Sequence, residues 1–125
     1  MSGYPGDTRP AIADRDGWLC WRCGHNCRYG IGGNIQHRKN RSQGGGSAPS
    51  NRLVLCGNGT MGCHGWVTAH PRLAALAGWT VPSTADPALI EAWNEPRQGW
   101  YRLDDQYGLH RASHGDGPPV EALCR

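Results

Sequence analysis

The sequence predicts a small α+β fold with irregular, glycine-rich loops, stabilised by something other than a large apolar core. Three observations point there. The 125 residues are one domain's worth of chain, yet only 38% are hydrophobic, Phe is absent, and 19 Gly and 9 Pro are spread along it. Such a composition fills a core poorly and leaves much backbone freedom to be restrained. The apolar runs are short, and the one helical stretch is interrupted by a proline. Finally, six Cys are present, four of them in two spaced pairs, which makes bound zinc the expected substitute for a core.

Residues 1–13 are mostly Gly, Pro and polar residues and read as a disordered lead-in. From Asp16 to Gly24 the chain reads as a turn, a short strand and a Cys20-x2-Cys23 knuckle closed by Gly24, the residue suited to so tight a reversal. Asn34-Ile35-Gln36-His37 alternates polar and apolar, a brief strand signal. Residues 42–50 are a Ser/Gly/Pro loop, and Leu53-Val54-Leu55 before Cys56 is a second strand or a buried connection. Between Cys63 and Gly78, Trp66, Val67, Leu73 and Leu76 supply a helical stripe, Pro71 suits the first position of a second segment, and Gly78 suits a C-terminal cap. Two short helices, or one kinked at Pro71, are expected. Beyond Pro82, Asp86 suits an N-cap for a short helix over 86–93, Trp100-Tyr101-Arg102-Leu103 a strand, and residues 110–125 a tail. The domain is therefore expected over 14–82, with 83–125 a partly ordered C-terminal extension.

No stretch approaches the roughly 20 apolar residues of a membrane span, and the N-terminus lacks the basic and apolar regions of a signal peptide. A cytoplasmic protein with no membrane contact is expected, and in that reducing compartment paired cysteines point to metal before disulfide. Cys20 and Cys23 have the spacing that lets two thiolates share a tetrahedral ion, and Cys56 and Cys63 enclose three glycines that allow both sulfurs to turn inward. Together they predict a four-thiolate Zn²⁺ site. Cys27 and His25 are read as spectators beside it, and Cys124 as a free thiol.

Charge is unevenly placed. The chain carries 13 basic and 10 acidic side chains, but residues 1–79 hold nine basic against three acidic, and residues 80–125 four against seven. No Asp or Glu lies between Asp16 and Asp86, a stretch with seven Arg and Lys. A metal site there must use His, Cys, Asn, Gln or water, and two-carboxylate catalytic devices are excluded. A field of one sign favours an anionic partner such as a phosphate backbone.

The chain also carries an ordered series: Gln36-His37-Arg38, Gly44-Gly45-Gly46, Asn51-Arg52-Leu53-Val54-Leu55-Cys56-Gly57, Gly62-Cys63-His64-Gly65 and Gly78-Trp79. This series resembles the HNH endonuclease family, most closely the small nucleases encoded by bacteriophages of actinobacteria, over about residues 14–82. The resemblance implies a ββα-metal (HNH) motif, a two-stranded ribbon carrying His37 and Asn51 packed on a helix carrying His64. It implies His37 as general base, Asn51 as the residue that orients the loop, and His64 with Gln36 as ligands of a single catalytic divalent ion (Mg²⁺, Mn²⁺, Ni²⁺ or Co²⁺). Gln36 stands where many members have Asp or His, and a neutral amide oxygen is the poorer ligand, so that ion is expected to be weakly held. Arg38, Lys39 and Arg41 follow the base and are read as contacts to DNA phosphates. The expected activity is metal-dependent cleavage or nicking of DNA, with DNA as partner and, by the same resemblance, a phage terminase or packaging protein. The competing reading, from the basic stretch and cysteines alone, is a non-catalytic zinc-ribbon module that binds nucleic acid or a phage assembly protein.

Overall fold

The computed structural model describes residues 8–28, 33–40, 46–58, 60–112 and 115–124. It is a small mixed α+β structure: helix α1 (Arg9–Arg15), strands β1 (Gly33–His37) and β2 (Arg52–Cys56), helices α2 (Gly62–Ala69) and α3 (Pro71–Leu76), and strands β3 (Ala92–Asn94), β4 (Gly99–Leu103) and β5 (Leu109–Arg111).

Helix α1 corrects the expectation of a lead-in through residue 13. Ile12 and Ala13 are buried on it, and its last residue docks it. Arg15 binds Asp16 through Nε (2.7 Å) and Nη2 (3.1 Å), and reaches the carbonyls of Pro49 (2.8 Å) and Arg52 (2.6 Å). Asp16 is fully buried and accepts the Val54 amide at 3.0 Å, so the helix is bolted to the start of β2. Asp16 and Arg15 satisfy one another, which is the condition for burying a charge. Residues 1–7 lie outside the described residues.

The knuckle forms as its residues dictate. Gly24 sits at φ +80°, its amide bonds the Cys20 carbonyl (2.9 Å), and the Cys20 amide bonds the His25 carbonyl (2.9 Å). Strands β1 and β2 pair antiparallel, with Ile35 opposite Val54, Gln36 opposite Leu53 and His37 opposite Arg52. Strand β2 is buried over its first four residues, as the apolar run Leu53-Val54-Leu55 requires. A glycine turn with Gly57 at φ +85° and Gly62 at φ +66° feeds α2. The helical stretch divides where Pro71, which has no amide hydrogen to donate, opens α3. Gly78 follows at φ +77° and ends it.

Residues 83–112 depart from the sequence expectation. The short helix over 86–93 is a single 3-10 turn (Pro87–Leu89), capped by Asp86 Oδ1 accepting from the Ala88 amide (3.0 Å), followed by β3. The strand wins because Ala92, Trp93 and Asn94 are all buried and the Trp93 amide bonds the Ala77 carbonyl (2.9 Å). Strands β3, β4 and β5 form an antiparallel sheet in that order, with Trp93 opposite Trp100. The turn joining β4 to β5 is built on Asp104, which accepts from His110 Nε2 (2.6 Å) and the amides of Gly108 (2.7 Å) and Gln106 (2.8 Å). These bonds, that from His110 first, hold its carboxyl down at about 2. Residues 110–125, read as a tail, contribute β5 and a 3-10 turn (Val120–Ala122) whose Ala122 is fully buried.

One core joins all of this, with Trp21, Trp79, Leu53, Leu55, Val67, Ala92 and Leu103 in it. Trp79 is fully buried and donates Nε1 to the Trp93 carbonyl (2.8 Å), tying the helices to the second sheet. Trp18 and Trp66 pack at its edge, half-buried. Among the described residues no helix is long and apolar enough to cross a membrane.

Candidate metal centre and the histidine-asparagine site

The knuckle and the β2-α2 junction bring Cys20, Cys23, Cys56 and Cys63 together, with all four sulfurs within 4.8 Å of one another. Among the described residues this is the one group of three or more Cys, His, Asp or Glu ligand atoms so placed. A tetrahedral ion with bonds of about 2.3 Å sets its ligand sulfurs about 3.8 Å apart, and Cys23 Sγ lies 3.7 Å from Cys56 Sγ. No disulfide joins the four. The four cysteines could hold a metal ion such as zinc, and their geometry fits it.

The surroundings divide the four thiols into two that ionise readily and two that do not. The His25 amide donates to Cys23 Sγ, the Cys63 amide to Cys56 Sγ and Arg22 Nη1 to Cys63 Sγ, each at 3.4 Å. Hydrogen bonds from Cys20 pull the thiols of Cys23 and Cys56 down, to about 2 and about 6, while Cys20 itself is pushed up by the same bonds. At Cys63 the hydrogen bond from Cys20 pulls down, but that from Cys23 and burial outweigh it and leave the thiol up at about 12. Metal ligation, which needs deprotonated sulfur, must therefore displace protons from Cys20 and Cys63. His25 is exposed and contributes only its backbone. Cys27 stands outside the cluster, and burial, with the charges of Cys56 and Cys23, pushes its thiol up to about 11. Cys124 is exposed.

The residues read as catalytic lie on the ribbon and the helix after it. His37 closes β1, half-buried, opposite Arg52. Gln36 precedes it in the same paired strand, so the two side chains leave opposite faces of the ribbon. His64 is the third residue of α2, and its Nδ1 is buried with no hydrogen-bond partner among the described residues. A buried imidazole nitrogen left in that state suits a metal ligand.

Asn51 is buried at the end of the 3-10 turn Pro49–Asn51 and spans the loop between the two strands. Its Oδ1 accepts the Lys39 amide (2.7 Å), its Nδ2 donates to the carbonyls of Lys39 (2.8 Å) and Gly46 (3.0 Å), and its own carbonyl accepts the Arg38 amide (2.7 Å). The chain just past His37 is thereby held by one amide side chain, the arrangement that an orienting residue requires.

Arg38 is a correction. It is 2% exposed, too deep to meet a phosphate. Its guanidinium donates to the carbonyls of Gly78 (2.9 Å), Ser50 (2.9 Å), Pro87 (2.8 Å) and Ile90 (2.6 Å), pinning the ribbon to the segment after α3. Burial, with the like charge of Arg15, pulls it down to about 9, so it stays cationic at neutral pH. Lys39 is half-exposed beside it, and Arg41 lies outside the described residues. His70 caps α2 from outside the site, its Nδ1 bonded to the Trp66 carbonyl (2.9 Å) with its ring stacked on Trp66. His110 is committed to Asp104.

Sequence reasoning missed Arg22. It is buried between the cysteine centre and the C-terminal turn, and the signal available was a basic side chain inside the Cys-x2-Cys loop itself. Compared with protein-family models, curated proteins and solved structures, the chain matches none.

Proposed function

We propose that this protein is a metal-dependent DNA endonuclease of the HNH kind, with a zinc held by Cys20, Cys23, Cys56 and Cys63 as a structural element apart from the catalytic ion. The observation that carries the reading is the Asn51 clamp on the strand end that bears His37, followed along the chain by a helix offering the unpartnered Nδ1 of His64. A divalent ion at His64 would supply positive charge to the phosphate oxygens and to the departing 3′ oxygen. His37 takes a proton from a water, whose oxygen attacks phosphorus as the bond to the 3′ oxygen breaks. Asn51 holds His37 in place for that transfer. Gln36, on the opposite face of the ribbon, remains the weaker candidate for a second protein ligand. The long acid-free stretch is consistent with this division of labour, because it offers no carboxylate of its own, and Asp105, which the fold brings next to Asn51, accepts the Ser50 amide at 3.0 Å. Contact with the DNA backbone then falls to Lys39 and Arg41 and to the exposed Arg28 and Arg72, since Arg38 is internal.

The test is plasmid cleavage with Mg²⁺, Mn²⁺, Ni²⁺ and Co²⁺, comparing wild type with His37→Ala. The variant is expected to lose cleavage while keeping its zinc and its circular dichroism spectrum. Cleavage retained by the variant overturns the assignment of the base. DNA bound but never cut by wild type, with every metal, replaces the nuclease by a non-catalytic zinc-ribbon module.

A further inference from the structure

Four thiolates around a divalent ion leave two negative charges uncompensated, and such charge is costly to hold against a protein interior. Arg22 lies in contact with this centre and is itself 6% exposed. Each of its three nitrogens donates: Nη1 to Cys63 Sγ at 3.4 Å, Nε to the Ala122 carbonyl at 2.8 Å, Nη2 to the Leu123 carbonyl at 3.5 Å, and its Cζ lies 3.8 Å from the Trp66 ring centroid. Three parts of the chain meet on this one group. They are the knuckle, the helix that carries Cys63 and Trp66, and the C-terminal turn. Of the atoms it touches, the sulfur alone can bear a full negative charge.

We propose that Arg22 is the counter-charge of the four-cysteine centre and, with the same guanidinium, the latch of residues 120–124, so that metal occupancy and docking of that segment are one linked equilibrium. The proposal rests on the metal reading of the cysteines. Packing also holds the turn Val120–Ala122, with Ala122 fully buried and Leu123 half-buried against the core, but the side-chain hydrogen bonds from Arg22 are the ones that reach the carbonyls of Ala122 and Leu123. When the anionic centre is present, Arg22 is fixed in the interior and presents its two other nitrogens to the carbonyls. When the segment leaves, water reaches the guanidinium and the Cys63 sulfur and weakens their attraction. Linkage makes the effect reciprocal: whatever factor the docked segment contributes to metal affinity, the metal contributes to docking.

The experiment uses the full-length, zinc-loaded protein as wild type, Arg22→Lys and Arg22→Gln, with two readouts. Zinc affinity is measured by competition with a chromophoric chelator, and docking by hydrogen-deuterium exchange of the peptide spanning 118–124, whose Ala122 and Leu123 amides bond within the turn. Arg22→Gln is expected to lower zinc affinity on the order of 10-fold to 100-fold, as removal of a partner of a metal ligand does, and to speed exchange in that peptide. Arg22→Lys keeps the charge but cannot span the sulfur and both carbonyls, so it falls between wild type and Gln on both scales, and it carries the test alone if the Gln variant does not fold. Weakened zinc with unchanged exchange, or faster exchange with unchanged zinc affinity, overturns the linkage. Wild type that contains no zinc overturns the metal reading instead, a distinct result.

Discussion

Asn51 and Arg38 stand next to each other in space and do opposite kinds of work. Asn51 is neutral and gives both ends of its amide to one backbone unit, that of Lys39. Asn51→Ala leaves that part-buried donor and acceptor without partners, at a cost of about 1 kcal/mol; a drop in Tm and a fall in any cleavage activity are expected together, by thermal unfolding and plasmid assay. Arg38 is charged yet meets only carbonyls. Arg38→Met removes the charge but strands four acceptors, and a loss of at least about 2 kcal/mol is expected in denaturant titration. Because Arg38 touches no phosphate, the slope of DNA affinity against salt should stay at the wild-type value, whereas a residue that did touch one would lower that slope by about one.

The elements that were legible in the sequence are those whose cause is local. The knuckle turns at Gly24, the helical stretch divides at Pro71, and the strand before Cys56 is a plain apolar run; each of these signals lies within a few residues of its effect. Gly78 belongs to this group, and it offers a test. It sits at φ +77°, and a Cβ there would run into the Glu91 carbonyl. Gly78→Ala is therefore expected to cost more than about 1 kcal/mol, read as a Tm lower by several degrees. The elements that were not legible are held from far away. Helix α1 depends on Arg15 reaching carbonyls more than thirty residues on, β3 on the Ala77 carbonyl, and the C-terminal turn on Arg22. Nothing near Arg9, Trp93 or Ala122 in the chain announces those partners. The site divides along the same line: cysteine spacing is a local signal, whereas the burial of Arg38 is a tertiary fact that a run of basic residues conceals.

For the molecule as a whole, the acid-free stretch acquires a second meaning. Arg22, Arg38 and Arg52 are all buried, so part of what looked like a surface field is internal cement; at Arg22 and Arg38 carbonyls and a cysteine sulfur take the place of carboxylates. The second sheet is likewise part of the same body as the ribbon and not an appendage, through the Trp79-Trp93 and Arg38 bonds. With a core this thin, the cysteine centre should decide whether the fold persists. One zinc per chain is expected by elemental analysis, and a strong chelator should abolish both the near-ultraviolet dichroism of the tryptophans and the cooperative thermal transition. Retention of both after the metal is stripped would show that packing alone suffices.

The span of the Arg22 contact also bears on how the protein is made. The guanidinium and its Ala122 acceptor are 100 positions apart, while the last of the four cysteines is Cys63. During synthesis, then, the ligand set has left the ribosome while the carbonyls that close over Arg22 are still untranslated. A nascent chain in that interval carries all four cysteines while its Arg22 still lacks the Ala122 and Leu123 carbonyls.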